Sequence, residues 1–495
     1  SSDLEYLRRK VMNKKFVALI SSVVMLGSSI ALAACGDDNK NQFTVAYLSG
    51  GRGETYVERL YEEFQKTDVY KDYLKEKGLE DLKLNVIKGG ADNVTGDVRN
   101  ALNTGTKVDV LFLNFGMTGV DLTESLVRSK QLTDLTSLLD EKVYGEETTL
   151  GDKLVPGLLE NYTTKPYGDG KVYTLPAFYS PTGLWYDASR FNENGTDGKY
   201  KLPTTWEEFW ALGDELNDAI EANGNKVDGE HPALFTYPTA GYFDGFIYAA
   251  VAGIAGEEKF LDMLGYTDGI WEDADIKNAL SVVVKLRNYL EPNTVAQANT
   301  DFKKNQQAVI GTQDGKSKGT ALFIPNGDWL PSEMSASTPK DYKWGFMALP
   351  KKDASSKSYV NTFLENVYLH KDGAHGELAK EFLLYYFSDT GAKIVAEESK
   401  AIIPTQDALK NAKENKIPDS TIELYNAYNG NGAVSGSFVA TDEVPGLKWS
   451  DVLFNDLNDK VFNSSNASKT DETLLNEWIA RLEEASDKLR AKIIK

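Results

Sequence analysis

Apolar and polar positions follow two alternating periods in the first part of the chain. Residues 43–48 form an apolar run of strand length, and from about residue 54 apolar side chains recur at helical spacing. This helical face consists of Val57, Leu60, Tyr61 and Phe64, at positions i, i+3, i+4 and i+7. Residues 82–86 alternate as a second strand, 93–102 suit a second helix, and 108–113 are mostly apolar, as in a buried parallel strand. The order strand, helix, strand, helix, strand predicts an α/β, doubly wound arrangement.

Ligands of such sheets gather at the carboxyl ends of the strands. The loops after the first and third predicted strands are therefore candidate ligand contacts, and we expect Arg52 and Asn114 in them to bind hydroxyl groups. The alternative for both residues is a solvated turn. The glycine turn 49–53 could cradle a phosphate at a helix N-terminus, but it lacks the Gly-Lys-Ser/Thr ending of a P-loop and the GxGxxG spacing. We therefore interpret it as a ligand-facing turn.

Two later helices have clear sequence signals. Thr205 and Glu208 form a capping box, followed by a buried face of Phe209, Leu212 and Leu216. Near the end of the chain, Asp471 and Glu472 suit the first turn of a helix. The predicted buried face of that last helix consists of Leu475, Trp478, Ile479 and Leu482.

Residues 12–34 have the pattern of a secretory signal. Lys14-Lys15 precede the uncharged run 16–34, which ends in small residues before Cys35, the only cysteine. A transmembrane anchor needs a similar apolar length, and a lone cysteine is usually a small buried hydrophobe. The segment Leu32-Ala33-Ala34-Cys35, followed by polar residues, resembles the lipobox of bacterial lipoproteins. That resemblance implies that Cys35 carries a lipid and becomes the new N-terminus.

Composition narrows the class of protein further. The formal net charge is −20, and loss of residues 1–34, which carry five basic and two acidic side chains, would leave −20 − 3 = −23. Such a charge argues against nucleic acid and against electrostatic docking on anionic lipid, so the lipid on Cys35 is the expected membrane contact. The chain is too long for one core, which predicts at least two domains. We expect no disulfide, no metal site and no cofactor, and we place His370 and His375 in a solvated turn.

The middle of the chain carries the most specific pattern. Residues 170–187 read GKVYTLPAFYSPTGLWYD, and 202–209 read LPTTWEEF. Residues 319–334, with Asn326-Gly327-Asp328-Trp329, and 377–404 add two further segments in a fixed order. Together they resemble the extracellular sugar-binding proteins of ABC importers, extracellular solute-binding family 1, which includes maltose-binding protein. The resemblance implies a two-lobed type II periplasmic-binding-protein-like fold, with a mainly parallel, helix-flanked sheet in each lobe and a hinge between them.

The family pattern also predicts how the chain divides. A tether at 35–42 follows the signal, and the chain crosses between lobes near 179, near 362 and near 415. Lobe 1 is expected to consist of 43–178 and 365–414, and lobe 2 of 181–360 and 415–495.

A sugar site needs flat aromatic platforms and short polar groups. By resemblance, Trp329 and Trp449 face the cleft, and Tyr242 and Phe243 match a family aromatic at the rim of lobe 2; packing in the core is the alternative for each. Tyr179 and Ser180 lie at the first crossover, where Ser180 stands in place of a carboxylate of the maltose binders, so the resemblance does not by itself imply maltodextrin specificity. Asp328, beside Trp329, is a further candidate for binding hydroxyl groups. Packing roles are expected for Trp185, Trp206 and Trp210.

The expected function is non-enzymatic capture of a mono- or oligosaccharide and its delivery to the transmembrane subunits of an ABC permease. The sequence of residues 326–334 weakly resembles that of the family branch that binds N-acetylglucosamine or chitobiose. The expected location is the extracellular face of a Gram-positive type membrane. The alternatives are an anchored glycoside hydrolase, which needs two facing carboxylates, and a surface carbohydrate-binding protein.

Overall fold

The computed structural model describes residues 38–49, 53–113, 122–192, 198–399, 401–408, 424 and 432–494. The expected signal, Cys35, Arg52, Asn114 and the crossover near 415 lie outside the described residues, and so does the side chain of Tyr179. Within the ranges given, no helix combines the length and the apolar character needed to cross a bilayer.

Nine strands occur in the described ranges and form one sheet, in which seven follow each other in the order β2-β1-β3-β8-β4-β6-β5. Strand β7 adds to β4 and β9 adds to β8. Their bounds are β1 Gln42–Leu48, β2 Lys83–Gly89, β3 Val110–Phe112, β4 Leu175–Asp187, β5 Ala233–Phe235, β6 Ala321–Gly327, β7 Trp344–Met347, β8 Tyr359–Leu369 and β9 Gly432–Val434.

Helices alternate with these strands, which confirms the predicted α/β class. Those of the first part are α1 Tyr56–Phe64, α2 Asp68–Lys77, α3 Ala91–Asn103, α4 Leu122–Arg128 and α5 Leu150–Lys153. The middle part contributes α6 Trp206–Ala222, α7 Phe243–Ala255, α8 Glu257–Leu264, α9 Ala274–Lys285, α10 Thr294–Ala298, α11 Phe302–Ile310 and α12 Leu330–Glu333. The last three are α13 Gly376–Tyr386, α14 Asp389–Ser399 and α15 Asp471–Arg490. Short π-helical segments, Asp451–Asn455 and Leu457–Val461, precede α15.

Long strands β4 and β8 connect the two ends of the sheet. They pair antiparallel, from Leu175 opposite Val367 to Thr182 opposite Asn361. The carboxyl half of β8 also pairs with β3, and the carboxyl half of β4 pairs with β6 and β7. Parallel pairing is confined to β1 with β2 and β3, β5 with β6, and β8 with β9, so each end of the sheet is mixed in direction.

Two large apolar cores flank this strand pair. The first contains β1, α1 and α13, and its buried members fall within 43–178 and 367–403. The second contains the end of β4, helices α6, α7 and α9, and the face of α15 that carries Trp478. Its buried members fall within 184–359 and 434–482. The lobe boundaries stay a prediction, and this separation is the observation that supports them.

A third apolar cluster joins elements from both sides. Leu158 and Ile402 lie in it together with Trp185, Ile324 and Leu330. Any relative movement of the two cores must slide or repack these side chains, because well-packed interiors leave few voids.

The histidine prediction is wrong. His370 and His375 are both buried rather than solvated. The backbone amide of His375 donates to Asp109 Oδ1 at 2.7 Å, and its ring Nδ1 lies 2.9 Å from the Tyr73 hydroxyl. Asp109 precedes β3, far away in sequence, so local polarity around the histidines gave no sign of this contact.

Candidate functional site

A cavity of about 420 Å³ opens where β6 ends. The sheet contributes Thr182 and Gly183 of β4 and Pro325 and Asn326 of β6. Pairing sets these two strands side by side, with Gly183 opposite Asn326. The remaining walls come from 239–246, Trp329 and Leu349, and we call the whole the Trp329 cavity. Its size lies within the range of small-molecule sites.

Trp329 and Tyr242 form an aromatic corner of this cavity. Their ring centroids are 6.2 Å apart and the ring planes meet at 62°. The indole N–H of Trp329 hydrogen-bonds the Tyr242 hydroxyl, but burial outweighs that bond and raises the pKa of Tyr242. Both side chains keep part of their surface exposed. Aromatic faces of this kind stack on the C–H face of a sugar ring.

Gly327 lets the Trp329 ring lie against the end of β6. A Cβ atom added at residue 327 would stand 2.1 Å from Cζ3 of Trp329. Any larger residue there would push the ring out of the corner. A second close approach occurs at Gly245, where an added Cβ would stand 2.4 Å from Thr182 Oγ1. That approach brings the start of α7 against β4.

Asp244, the second residue of α7, places a carboxyl group at this junction. Its Oδ1 accepts a short hydrogen bond from the Gly245 amide. Burial raises its pKa from 3.8 to about 6, and the Gly245 bond offsets only part of that effect. The helix N-terminus also favours a negative charge there. At neutral pH the group is therefore an ionised acceptor inside a mainly apolar space.

Asn326 supplies a donor to the same cavity. Its side chain is 1 % exposed, and its Oδ1 accepts the Gly327 amide at 2.9 Å. Its Nδ2 has no hydrogen-bond partner in the described part of the protein. A buried unpaired amide is costly, and because the Nδ2 atom is itself buried, it can donate to a ligand oxygen only when the side chain turns toward the cavity.

The structure unites some of the predicted ligand residues and separates others. Trp329 and Tyr242 line the cavity, and Asp328 lies half-buried in the turn beside it. Phe243 is fully buried behind the cavity, with its ring 4.9 Å from that of Tyr237. Ser180 is fully buried in the middle of β4.

Trp449 lies in a different aromatic cluster. Its ring centroid is 4.8 Å from that of Phe438, 5.3 Å from Tyr266 and 5.6 Å from Trp271. It does not line the Trp329 cavity. Its partners come from the turn after α8, from the short 3-10 helix before α9 and from the segment after β9, and sequence spacing could not bring these together.

Sequence reasoning missed Asp244, Asn326 and Thr182 as site residues. Asp244 carried one usable signal, because it is the one charged residue in the otherwise apolar helix FDGFIYAAVAGIA. Asn326 was noticed only as part of a family segment. Thr182 had no local signal, since its place depends on the contact with Gly245.

The fold and the cavity define an α/β ligand-binding protein. A profile of the family described as bacterial extracellular solute-binding protein matches residues 68–455. The match covers most of the chain, and the chain belongs to this family.

Two curated relatives are similar in sequence. The diacetylchitobiose binding protein DasA of Streptomyces coelicolor is 25% identical over 407 residues, which is 81% of this chain and 85% of DasA. The multiple sugar-binding protein of Streptococcus mutans is 23% identical over 232 residues, 46% of this chain. That alignment spans half, 50%, of the Streptococcus mutans protein.

Solved structures share the fold. Apo RafE of Streptococcus pneumoniae superposes with a TM-score of 0.56 at 16% identity, over 90% of this chain and 98% of RafE. The solute receptor AcbH gives 0.58 at 14% identity, over 91% and 98%. Maltose-bound MalE3 of T. maritima gives 0.53 at 15%, over 90% and 99%. At such identities the likeness shows the fold alone, which is the predicted type II periplasmic-binding-protein-like fold.

Proposed function

We propose that this chain is the substrate-binding lipoprotein of an ABC importer for a carbohydrate. It captures a sugar in the Trp329 cavity and delivers it to the transmembrane subunits of a permease. The observation that carries this proposal is the meeting of an aromatic corner, a carboxylate and an unpaired amide in one cavity. These are the groups that a sugar requires, an apolar platform together with fixed hydrogen-bonding partners.

The relatives support a sugar as the ligand. DasA is a diacetylchitobiose binding protein, the Streptococcus mutans relative is a multiple sugar-binding protein, and RafE has been solved with raffinose. DasA aligns over the larger part of this chain, which favours a ligand of N-acetylglucosamine or chitobiose type.

No chemical step is part of this proposal. Hydrolysis of a glycosidic bond needs two carboxyl groups on either side of the bond. Among the described residues that line the cavity, Asp244 is the one carboxylate. The site is therefore better suited to holding a sugar than to cleaving it.

Anchoring and movement complete the proposal. The lipid on Cys35 would hold the protein at the outer face of the membrane, next to the permease. The strand pair β4 and β8 would act as the hinge between lobes 1 and 2, and a sugar that contacts both lobes would favour the closed form.

The test is titration calorimetry of wild type and Trp329→Ala against diacetylchitobiose, raffinose and maltose. The Ala variant should lose about 1–3 kcal/mol of binding free energy for the preferred sugar, because it loses ring stacking. Trp329→Phe should recover part of that loss. Trp210→Phe, altered in the aromatic stack with Trp206 and Tyr289, serves as the control. Equal affinities of wild type and Trp329→Ala would contradict the site.

A further inference from the structure

Asp244 is the one charged side chain among the described residues that line the Trp329 cavity. The Gly245 amide binds its Oδ1. No lysine, arginine or histidine in the described part of the chain lines the cavity with it. Buried charges in proteins are normally paired with an opposite charge or with several donors, and the described residues supply this half-buried carboxylate with the Gly245 amide alone.

The groups around Asp244 do not supply a compensating charge. Tyr242, in the preceding turn, and Tyr248, one turn along α7, are both kept neutral because burial raises the pKa of each phenol. Glu333 of α12 lies near Tyr242 and is itself acidic. The neighbouring positions of β4 and β6, Thr182 and Asn326, do not titrate. The described residues around Asp244 therefore make the potential in this part of the cavity negative at neutral pH.

We infer that Asp244 selects the charge of the ligand: its carboxylate accepts hydrogen bonds from the hydroxyl groups of a neutral sugar and excludes acidic sugars. This inference rests on the proposed function and narrows it to a class of substrate. A hydroxyl group completes the hydrogen bonding of the carboxylate without adding charge. A uronate would bring a second negative charge into a desolvated space, which disfavours binding.

The second polar group of the cavity fits the same ligand. Asn326 Nδ2 can donate but not accept, whereas ionised Asp244 can accept but not donate. A sugar hydroxyl both donates and accepts, so the hydroxyl groups of a sugar match the hydrogen-bonding chemistry of both side chains. The uncharged corner of Trp329 and Tyr242 then covers the ring face.

The experiment compares neutral and acidic sugars on wild type and Asp244→Asn. The neutral probes are diacetylchitobiose, raffinose, maltose and galactose, and the acidic probes are galacturonic acid and trigalacturonate. Wild type at pH 7.5 should bind its preferred neutral sugar at least about tenfold more tightly than either acidic probe. Its affinity should fall by up to about tenfold at pH 5.0, since roughly one-tenth of a carboxyl with a pKa near 6 is ionised there.

The Asp244→Asn variant should bind the neutral sugar more weakly at pH 7.5, and its affinity should no longer depend on pH. The difference in affinity between neutral and acidic probes should also be smaller than in wild type. Asp218→Asn removes the same charge from an exposed position of α6 and should behave as wild type. Circular dichroism checks that each variant is folded, and Asp244→Ser is a second variant with a smaller side chain.

Two results would overturn the inference on its own. One is an acidic probe that binds wild type as tightly as the neutral sugar does. Another is an Asp244→Asn variant with unchanged selectivity and pH profile. If neutral and acidic probes bind with equal affinity, only the role of Asp244 is contradicted. If no sugar binds, the proposed function is contradicted as well.

Discussion

Asp244 should cost stability in the absence of ligand. Burial raises its pKa from 3.8 to about 6, so the folded protein holds this proton more tightly than the unfolded chain does. For a carboxyl whose pKa is raised on folding, the penalty is absent at low pH and grows as pH rises through the interval from 3.8 to about 6. At pH 7.5 the folded protein therefore bears the full cost of the buried charge.

The magnitude follows from the size of the shift. Roughly two pKa units at about 1.4 kcal/mol each give an upper value of about 3 kcal/mol. Because the side chain keeps some contact with the solvent in the cavity, we expect Asp244→Asn to raise the free energy of unfolding by about 1–3 kcal/mol at pH 7.5. Asparagine can keep the hydrogen bond from Gly245, so the variant removes the charge and little else.

Urea unfolding at two pH values measures this effect. At pH 4.5 the carboxyl is protonated in the folded state, and the gain from the substitution should shrink to less than about 1 kcal/mol. Asp218→Asn, on the exposed face of α6, should show no comparable gain at either pH. The reasoning would be refuted if Asp244→Asn were less stable than wild type at pH 7.5. It would also be refuted if the increase in the free energy of unfolding were the same at both pH values.

Three further predictions concern other parts of the chain. Gly327→Ala should weaken sugar binding about as much as Trp329→Ala does, because the added Cβ would collide with the indole. The control Gly96→Ala adds a Cβ in open space and should leave the affinity measured by calorimetry unchanged. Thr205→Ala should lower the free energy of unfolding in urea by about 1 kcal/mol, because the Thr205 hydroxyl caps α6 through the amide of residue 208 at 3.3 Å. Cys35→Ser should abolish palmitate labelling in cells, and lipid labelling that persists would contradict the anchor.

Local patterns predicted the elements well. The apolar face of α1 follows from its helical spacing, and β1 and β3 follow from their short apolar runs, which are buried. Strand β2 forms where its alternating pattern predicts it, but its residues are at most partly buried. The capping box of α6 was partly right. Thr205 caps the helix as expected, but the Glu208 carboxylate accepts the amide of Thr204 at 2.8 Å and its hydroxyl at 2.6 Å.

The site was less predictable because tertiary contacts assemble it. Trp329 stood out through a family segment, but Asp244 gains its role only where α7 meets β4. Trp449 was also predicted to face the cleft by family resemblance, but it packs on aromatic residues that are remote in sequence. The pairing of β4 with β8 joins the two ends of the sheet, and the crossover positions near 179 and 362 that the sequence predicts did not reveal the lengths of these strands.

The cluster around Trp185 sets a condition on movement. Leu158 and Ile402 belong to the same apolar cluster as Leu330 and Ile324, so this cluster spans the two sides of β4 and β8. The proposed closure around a sugar would therefore have to slide or repack this cluster while the cavity side moves. Small-angle scattering with the bound sugar should show a smaller radius of gyration than without it.

Titration calorimetry of the wild-type protein with diacetylchitobiose, raffinose and maltose tests the central claim most directly. The account predicts saturable binding of at least one of these neutral sugars at one site per chain. The heat should return to baseline after each injection, because a receptor releases its sugar unchanged. Continued heat after saturation would indicate turnover and an enzyme. If none of the three sugars binds, the assignment of the Trp329 cavity to neutral sugars of these types is contradicted.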